Sequence, residues 1–124
     1  GPGLRDRPAV QAMVASSTAA LEAARLLLRD ALSDLWNACS RGTPVSDIQR
    51  ARMWGSIVHA AQTAKTTVTA MYEAAGASAL YIDCPIEQAH RDIHAVLQHV
   101  VLQRFWLEQA GRVSLGLKPT HPLF

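Results

Sequence analysis

Cysteine is scarce in this chain of 124 residues: Cys39 and Cys84 stand far apart and outside any CxxC spacing. That pattern argues against a disulfide framework and suits a reducing compartment, so a cytoplasmic setting is expected. Charge is thin as well. Asp, Glu, Lys and Arg make up 18% of the residues, the net charge is +2, and Arg50, Arg52 and Lys65 are spread rather than clustered. So slight a field implies neither nucleic acid nor an anionic membrane as a partner. No apolar run approaches the roughly 20 residues that a membrane span needs, and no charged-then-apolar signal segment is seen. Walker, GxGxxG and GxSxG motifs are absent, as is any internal repeat.

What the chain has in quantity is apolar residues, 49% of the total and rich in Ala, too many for a disordered polymer. Combined with so little charge, this composition leaves part of the surface to be covered by another protein surface. The length fits one domain, yet it is small for a complete cofactor enzyme, which points to a module or a fragment. The opening Gly1-Pro2-Gly3 reads as the scar of protease cleavage in a recombinant product and is set apart from the domain, residues 4–124.

Helical periodicity organises the rest. Over residues 6–40, Val10, Val14, Leu21, Leu28 and Leu35 recur at helical spacing, with Met13, Leu27, Leu32 and Trp36 widening the stripe. Arg41-Gly42 ends this helix, because Gly takes the left-handed C-cap conformation readily. Thr43 and Pro44 read as the N-cap and first residue of a second helix that runs to about Ala75, with Ile48, Trp54, Val58, Ala61, Val68, Met71 and Ala75 on its buried stripe. Residues 76–85 carry a Gly stop and a Pro start, and so form a connector with at most a helical turn. A third helix begins at Pro85 or Ile86 and fades near Gly111. From about residue 112 a tail rich in Gly and Pro follows, with too little local propensity to hold a shape unless it packs on something. The fold class is therefore all-α, a long-helix up-down bundle. The first two helices extend roughly 50 Å at 1.5 Å per residue, and three such helices make an incomplete bundle that invites a partner.

The candidate chemistry lies in PIEQAHRDIHAVLQH, residues 85–99. On one continuous helix, at about 100° per residue, Gln88, Asp92, Ala95, His99 and Gln103 form a polar seam that stacks Asp92 and His99. His99 is embedded between Leu97 and Val100-Val101, where an imidazole facing a flavin, a phenolic substrate or another subunit has a defined environment. A core histidine satisfied by Asp92 or a backbone carbonyl accounts for the same pattern. Arg91 and Asp92 point in different directions, so one pairs structurally while the other orients His99 or caps a neighbouring segment. His90 and His94 are four apart, but two ligands are not a metal site, HExxH is absent, and the Glu positions do not supply paired ExxH ligands, so no metal is expected. Ser78 and Tyr81 lie in the connector, where backbone donors are exposed, and Cys84 reads as a helix-start residue rather than a nucleophile.

YEAAGASALYIDCPIEQAHRDIHAVLQH followed by a Gly-Pro tail resembles the C-terminal helical domain of the acyl-CoA dehydrogenase superfamily. More narrowly, it is similar to the branch of two-component flavin-dependent monooxygenases that hydroxylate phenols or oxidise dibenzothiophene. The resemblance covers nearly the whole chain after the first residues. It rests on the AG-S connector, the Pro, the RD pair and the His seven residues beyond the Asp.

The resemblance implies a subunit that adds an N-terminal helical domain and a central β-barrel to this bundle, self-associates as a dimer or tetramer, and binds reduced FMN or FAD between domains. It also implies a separate flavin reductase as partner, and oxygenation of a small aromatic or heterocyclic substrate through a flavin hydroperoxide. His99 matches the family histidine near the reactive flavin locus, which assists hydroperoxide formation or substrate deprotonation. Ser78 falls in the connector that approaches flavin, with Tyr81 beside it, and Arg91 and Asp92 match an RD pair that is mainly architectural. One departure is His90, where the family often has Trp just before RD. The isolated domain, without the barrel and first domain to enclose a flavin, is expected to hold no cofactor and to be inactive. Dehydrogenation of acyl-CoA thioesters in the full protein, or a non-catalytic helical oligomerisation role, are the alternatives. The glutamate base of acyl-CoA dehydrogenases has no confident position here, which favours the monooxygenase branch.

Overall fold

The computed structural model describes residues 3–80 and 83–124, the side chains of Ser78 and Ala79 excepted. Four α-helices carry the fold: α1 (Pro8–Ser40), α2 (Asp47–Ala75), α3 (Pro85–Val96) and α4 (Phe105–Ser114), with short 3-10 helices at Leu4–Asp6, Gly76–Leu80 and Val100–Leu102. No strand occurs among the described residues, and the all-α bundle stands as expected. No described helix is long and apolar enough to cross a membrane.

The first turn forms where Gly was expected to act. Gly42 takes φ 68°, its N–H bonds to the Cys39 carbonyl and the Thr43 N–H to the Ala38 carbonyl. That pair of bonds is a Schellman closure, which satisfies carbonyls the helix end would otherwise leave bare. The second helix starts later than the Thr43-Pro44 signal indicates. Ser46 is its N-cap: the Ser46 hydroxyl accepts from the Gln49 N–H, and the Gln49 side chain accepts from the Ser46 N–H. Such a reciprocal capping box satisfies two orphan groups at once, more than a lone Thr cap before Pro can do.

α1 and α2 form an antiparallel hairpin, fastened by Arg52 to Asp30 at 2.7 Å and by the Gln49 amide to Asp34 at 3.1 Å. The chain then runs back along α2, His90 of α3 beside Tyr72 and Trp106 of α4 beside Trp54. α2 is thus the central helix, with α1 on one side and α3 and α4 following each other along the other.

The two sides are built differently. Against α4 the core is Trp54, Val58 and Trp106, with Met53, Val101, Phe105, Leu107 and Phe124 packed on it. The two indoles lie parallel, 3.8 Å between centroids and 3° between planes. Against α1 the buried residues are Ser17, Ala24, Ala31 and Ala38, a seven-residue rhythm of small side chains interleaved with the half-buried Leu21, Leu28 and Leu35. The regular members of the α1 stripe, Val10, Leu21, Leu28 and Leu35, with Met13, are half-buried beside that seam. Val14, Leu27, Leu32 and Trp36 are exposed, Trp36 at 74%, because the stripe is wider than the face that α2 covers. On α2, Ile48 is likewise exposed rather than buried.

The tail finds the support its composition requires. Gln109, itself buried, accepts from the Thr120 N–H at 2.7 Å and donates to the Thr120 hydroxyl at 2.9 Å. Arg112 donates to the Lys118 carbonyl, and the His121 ring rests against Phe105 and Trp106. α4 runs past Gly111 to Ser114, closed by Gly116 at φ 79°.

Candidate functional site

The single helix expected over residues 85–111 is two helices with an irregular turn between them, and that break decides the geometry of the site. α3 opens at Pro85 with Cys84 as N-cap residue, as the helix-start reading of Cys84 has it. It ends at Val96, and His99 follows in extended backbone as the N-cap of the Val100–Leu102 turn. The seam that would stack Asp92 on His99 needs continuous helical rotation between them, so it does not form. Asp92 is exposed on α3, and among the described residues its carboxylate makes no hydrogen bond or ion pair with His99.

A broken helix leaves carbonyls without partners, and here side chains replace the missing amides. Gln103 donates from Nε2 to the Leu97 carbonyl at 2.9 Å and the His99 carbonyl at 3.3 Å. The Trp106 indole N–H donates to the Val100 carbonyl at 2.8 Å. His99 caps the turn itself, its Nδ1 accepting from the Val101 N–H at 3.3 Å. Accepting there leaves Nε2 to carry the proton of the neutral ring. His99 is exposed, flanked by Val96 and Val100, both more than half exposed. An exposed, protonated ring nitrogen in a stretch with open apolar side chains suits a flat heterocycle that carries hydrogen-bond acceptors.

Arg91 pairs with Glu87 at 2.7 Å along its own helix, not across the bundle. The Glu87 side chain is only 16% exposed, and its Oε2 is buried with no hydrogen-bond partner among the described residues. His90 is half-buried: its ring stacks on Tyr72, 4.0 Å between centroids and 17° between planes. His94 tilts against His90 and donates from Nδ1 to the His90 carbonyl at 2.7 Å, so its proton sits on the opposite nitrogen from that of His99. The Tyr72 contact was missed in the sequence, although an aromatic residue is what the resemblance leads one to expect at position 90. No group of three or more His, Cys, Asp or Glu able to hold a metal occurs among the described residues. Ser78 lies by its backbone in the Gly76–Leu80 turn, but its side chain, and Tyr81 altogether, fall outside the described residues. A groove of about 440 Å³ runs along the α1–α2 seam past Ser17, Thr63 and Thr67, away from the turn that carries His99.

Residues 2–104 match the family model described as acyl-CoA dehydrogenase, C-terminal domain. The chain belongs to that family. An indole-3-acetate monooxygenase of Acinetobacter baumannii is 29% identical over 96% of the chain, and one of Pseudomonas putida 28% identical over 95%. A pigment production hydroxylase of Rhodococcus erythropolis is 30% identical over 99% of the chain. The chain spans only 31%, 30% and 32% of these three proteins.

Proposed function

We propose that this chain is the C-terminal helical domain of a flavin-dependent monooxygenase acting on a small aromatic or heterocyclic substrate. The observation that carries the reading is that three relatives aligned over nearly the whole chain bear oxygenating names, two of them for an indole acid. The geometry adds an exposed imidazole donor, with exposed Val96 and Val100 near it in sequence, at the histidine that the family resemblance marks. His99, Val96 and Val100 are the residues of this chain that would meet a reduced FMN or FAD, with Ser78 and Tyr81 of the connector as further candidates. The chemistry such a group supplies when bound is the two-electron activation of oxygen. This chain contributes a hydrogen-bond donor at His99 and apolar contact that keeps water from one side.

Enclosure on the remaining sides comes from elsewhere in the protein, so the isolated domain is inactive. Its exposed α1 face is where a second copy or the other domains pack, in a dimer or tetramer, and a separate reductase supplies reduced flavin. A cytoplasmic setting goes with the two unpaired thiols.

The test is reduced-flavin-dependent oxygen uptake and hydroxylated product from the full-length protein, with indole and phenol acids as substrates and the isolated chain alongside. Product from the full-length protein alone is the expected result; turnover of acyl-CoA thioesters with an artificial acceptor and no oxygen would replace this reading with dehydrogenation. That second reading has the family description itself in its favour.

A further inference from the structure

We infer that Gln103 and Trp106 are positioning residues that hold the α3–α4 turn so that His99 presents a protonated Nε2, acting as a hydrogen-bond donor and not as a base. The catalytic meaning of this rests on the monooxygenase reading; the positioning itself does not.

Nothing in the residues 97–102 stabilises an irregular turn locally by glycine or proline. Its geometry is imposed from beyond it. Gln103 reaches back six residues to Leu97 and four to His99, and Trp106 reaches back six residues to Val100. Trp106 is 1% exposed and clamped against Trp54, so the donor that fixes the Val100 carbonyl is anchored in the core. With the carbonyls at 97, 99 and 100 tied, the Val101 N–H is aimed at His99 Nδ1, and that contact selects the tautomer. Of the two roles the family histidine is given, assisting oxygen activation or deprotonating substrate, only the first suits this nitrogen. In the neutral ring the lone pair is on Nδ1, which is occupied within the turn, and Nε2 has a proton to offer to a developing negative charge.

The chain contains its own control. His94 is held through Nδ1 by the His90 carbonyl within α3, independently of the turn, and must be the opposite tautomer.

The experiment is two-bond proton–nitrogen correlation NMR of the chain labelled at histidine nitrogen, at a pH where both rings are neutral. The comparison is wild type against Gln103→Met, which keeps length and loses the donor, and Trp106→Phe, which keeps an aromatic ring and loses the N–H. Expected are an Nε2–H pattern for His99 in wild type, an averaged pattern for His99 in both variants, and an unchanged Nδ1–H pattern for His94 throughout. An Nδ1–H pattern for wild-type His99, or a His99 pattern unmoved by either variant, overturns the proposal. Should Trp106→Phe unfold, the His94 pattern collapses with it and Gln103→Met decides. In the full-length enzyme, Gln103→Met lowers kcat about tenfold with KM for substrate little changed, because the carbonyls at 97 and 99 lose the donor that orients His99. A shifted tautomer with undiminished turnover would keep the positioning and sink the catalytic reading of His99 instead.

Discussion

α2 is packed on one side by tryptophan and on the other by alanine, and the two contacts divide the work of the fold. Toward α4, Trp54 and Trp106 bury large rings face to face and seal an interior. Toward α1, Ala24, Ala31 and Ala38 bring two backbones together while Leu21, Leu28 and Leu35 are only half-buried and Leu26, Leu27, Leu32 and Trp36 stay outside. A contact of the first kind is self-sufficient, since the apolar area removed from water grows with side-chain size. The second kind yields close approach with little buried area, and leaves α1 an open stripe that calls for cover. Removing the heaviest member of the first contact therefore has the largest effect: Trp106→Ala should lower unfolding free energy by about 3–5 kcal/mol in urea titration. Trp36→Ala, the same change at an exposed site, should stay within about 0.5 kcal/mol. Equal losses would erase the distinction between the two sides.

Enlarging the small seam is the complementary change. Ala31→Leu forces the α1 and α2 backbones apart or the new side chain off its rotamer, and should cost about 1–3 kcal/mol. If Ala31→Leu stabilised the chain, the seam would be loosely filled and not a close approach. The exposed stripe has a different readout. Leu32→Lys should leave monomer stability within about 0.5 kcal/mol but, on the proposal that copies pack through α1, lower the mass in solution, as measured by light scattering. A mass unchanged by charge on this stripe would remove self-association from α1.

How far these features were legible depends on how local their causes are. The Gly42 closure and the Cys84-Pro85 start rest on one or two residues and could be read directly. Ser46 competes with Thr43 as a cap, and the deciding residue is Gln49, three positions on, which closes the box with Ser46 alone. The break after Val96 had no such sign. Its stabilising bonds come from Gln103 and Trp106 over six residues, a spacing that helical periodicity does not register, and the buried anchor of Trp106 is a tertiary contact. For the same reason the Asp92–His99 seam read from a seven-residue step was lost, while His99 itself remained on an exposed, defined turn. Arg91 found its partner at Glu87, within reach of ordinary i,i+4 pairing, whereas the stack of His90 on Tyr72 joins two helices and was hidden. On α1 the regular apolar stripe lies half-buried beside the small-residue seam, and hydrophobicity registers the stripe but not the seam.

Smaller changes sharpen the comparison at the open end of the hairpin. Ser46→Ala removes the cap of α2 and should cost about 1 kcal/mol, by the same titration, since the Gln49 N–H loses its acceptor. Smaller still is the effect expected of Arg52→Ala. The Arg52–Asp30 bridge is short at 2.7 Å and joins the two helices of the alanine seam, but its side chains are 41% and 71% exposed. Water and salt screen a pair so open, and holding two flexible side chains in one geometry offsets much of the attraction, leaving about 0.2–1 kcal/mol. That small loss should shrink further between low and high salt. A loss above 2 kcal/mol that persists in high salt would mean that the bridge, and not the alanines, sets the register of α1 on α2.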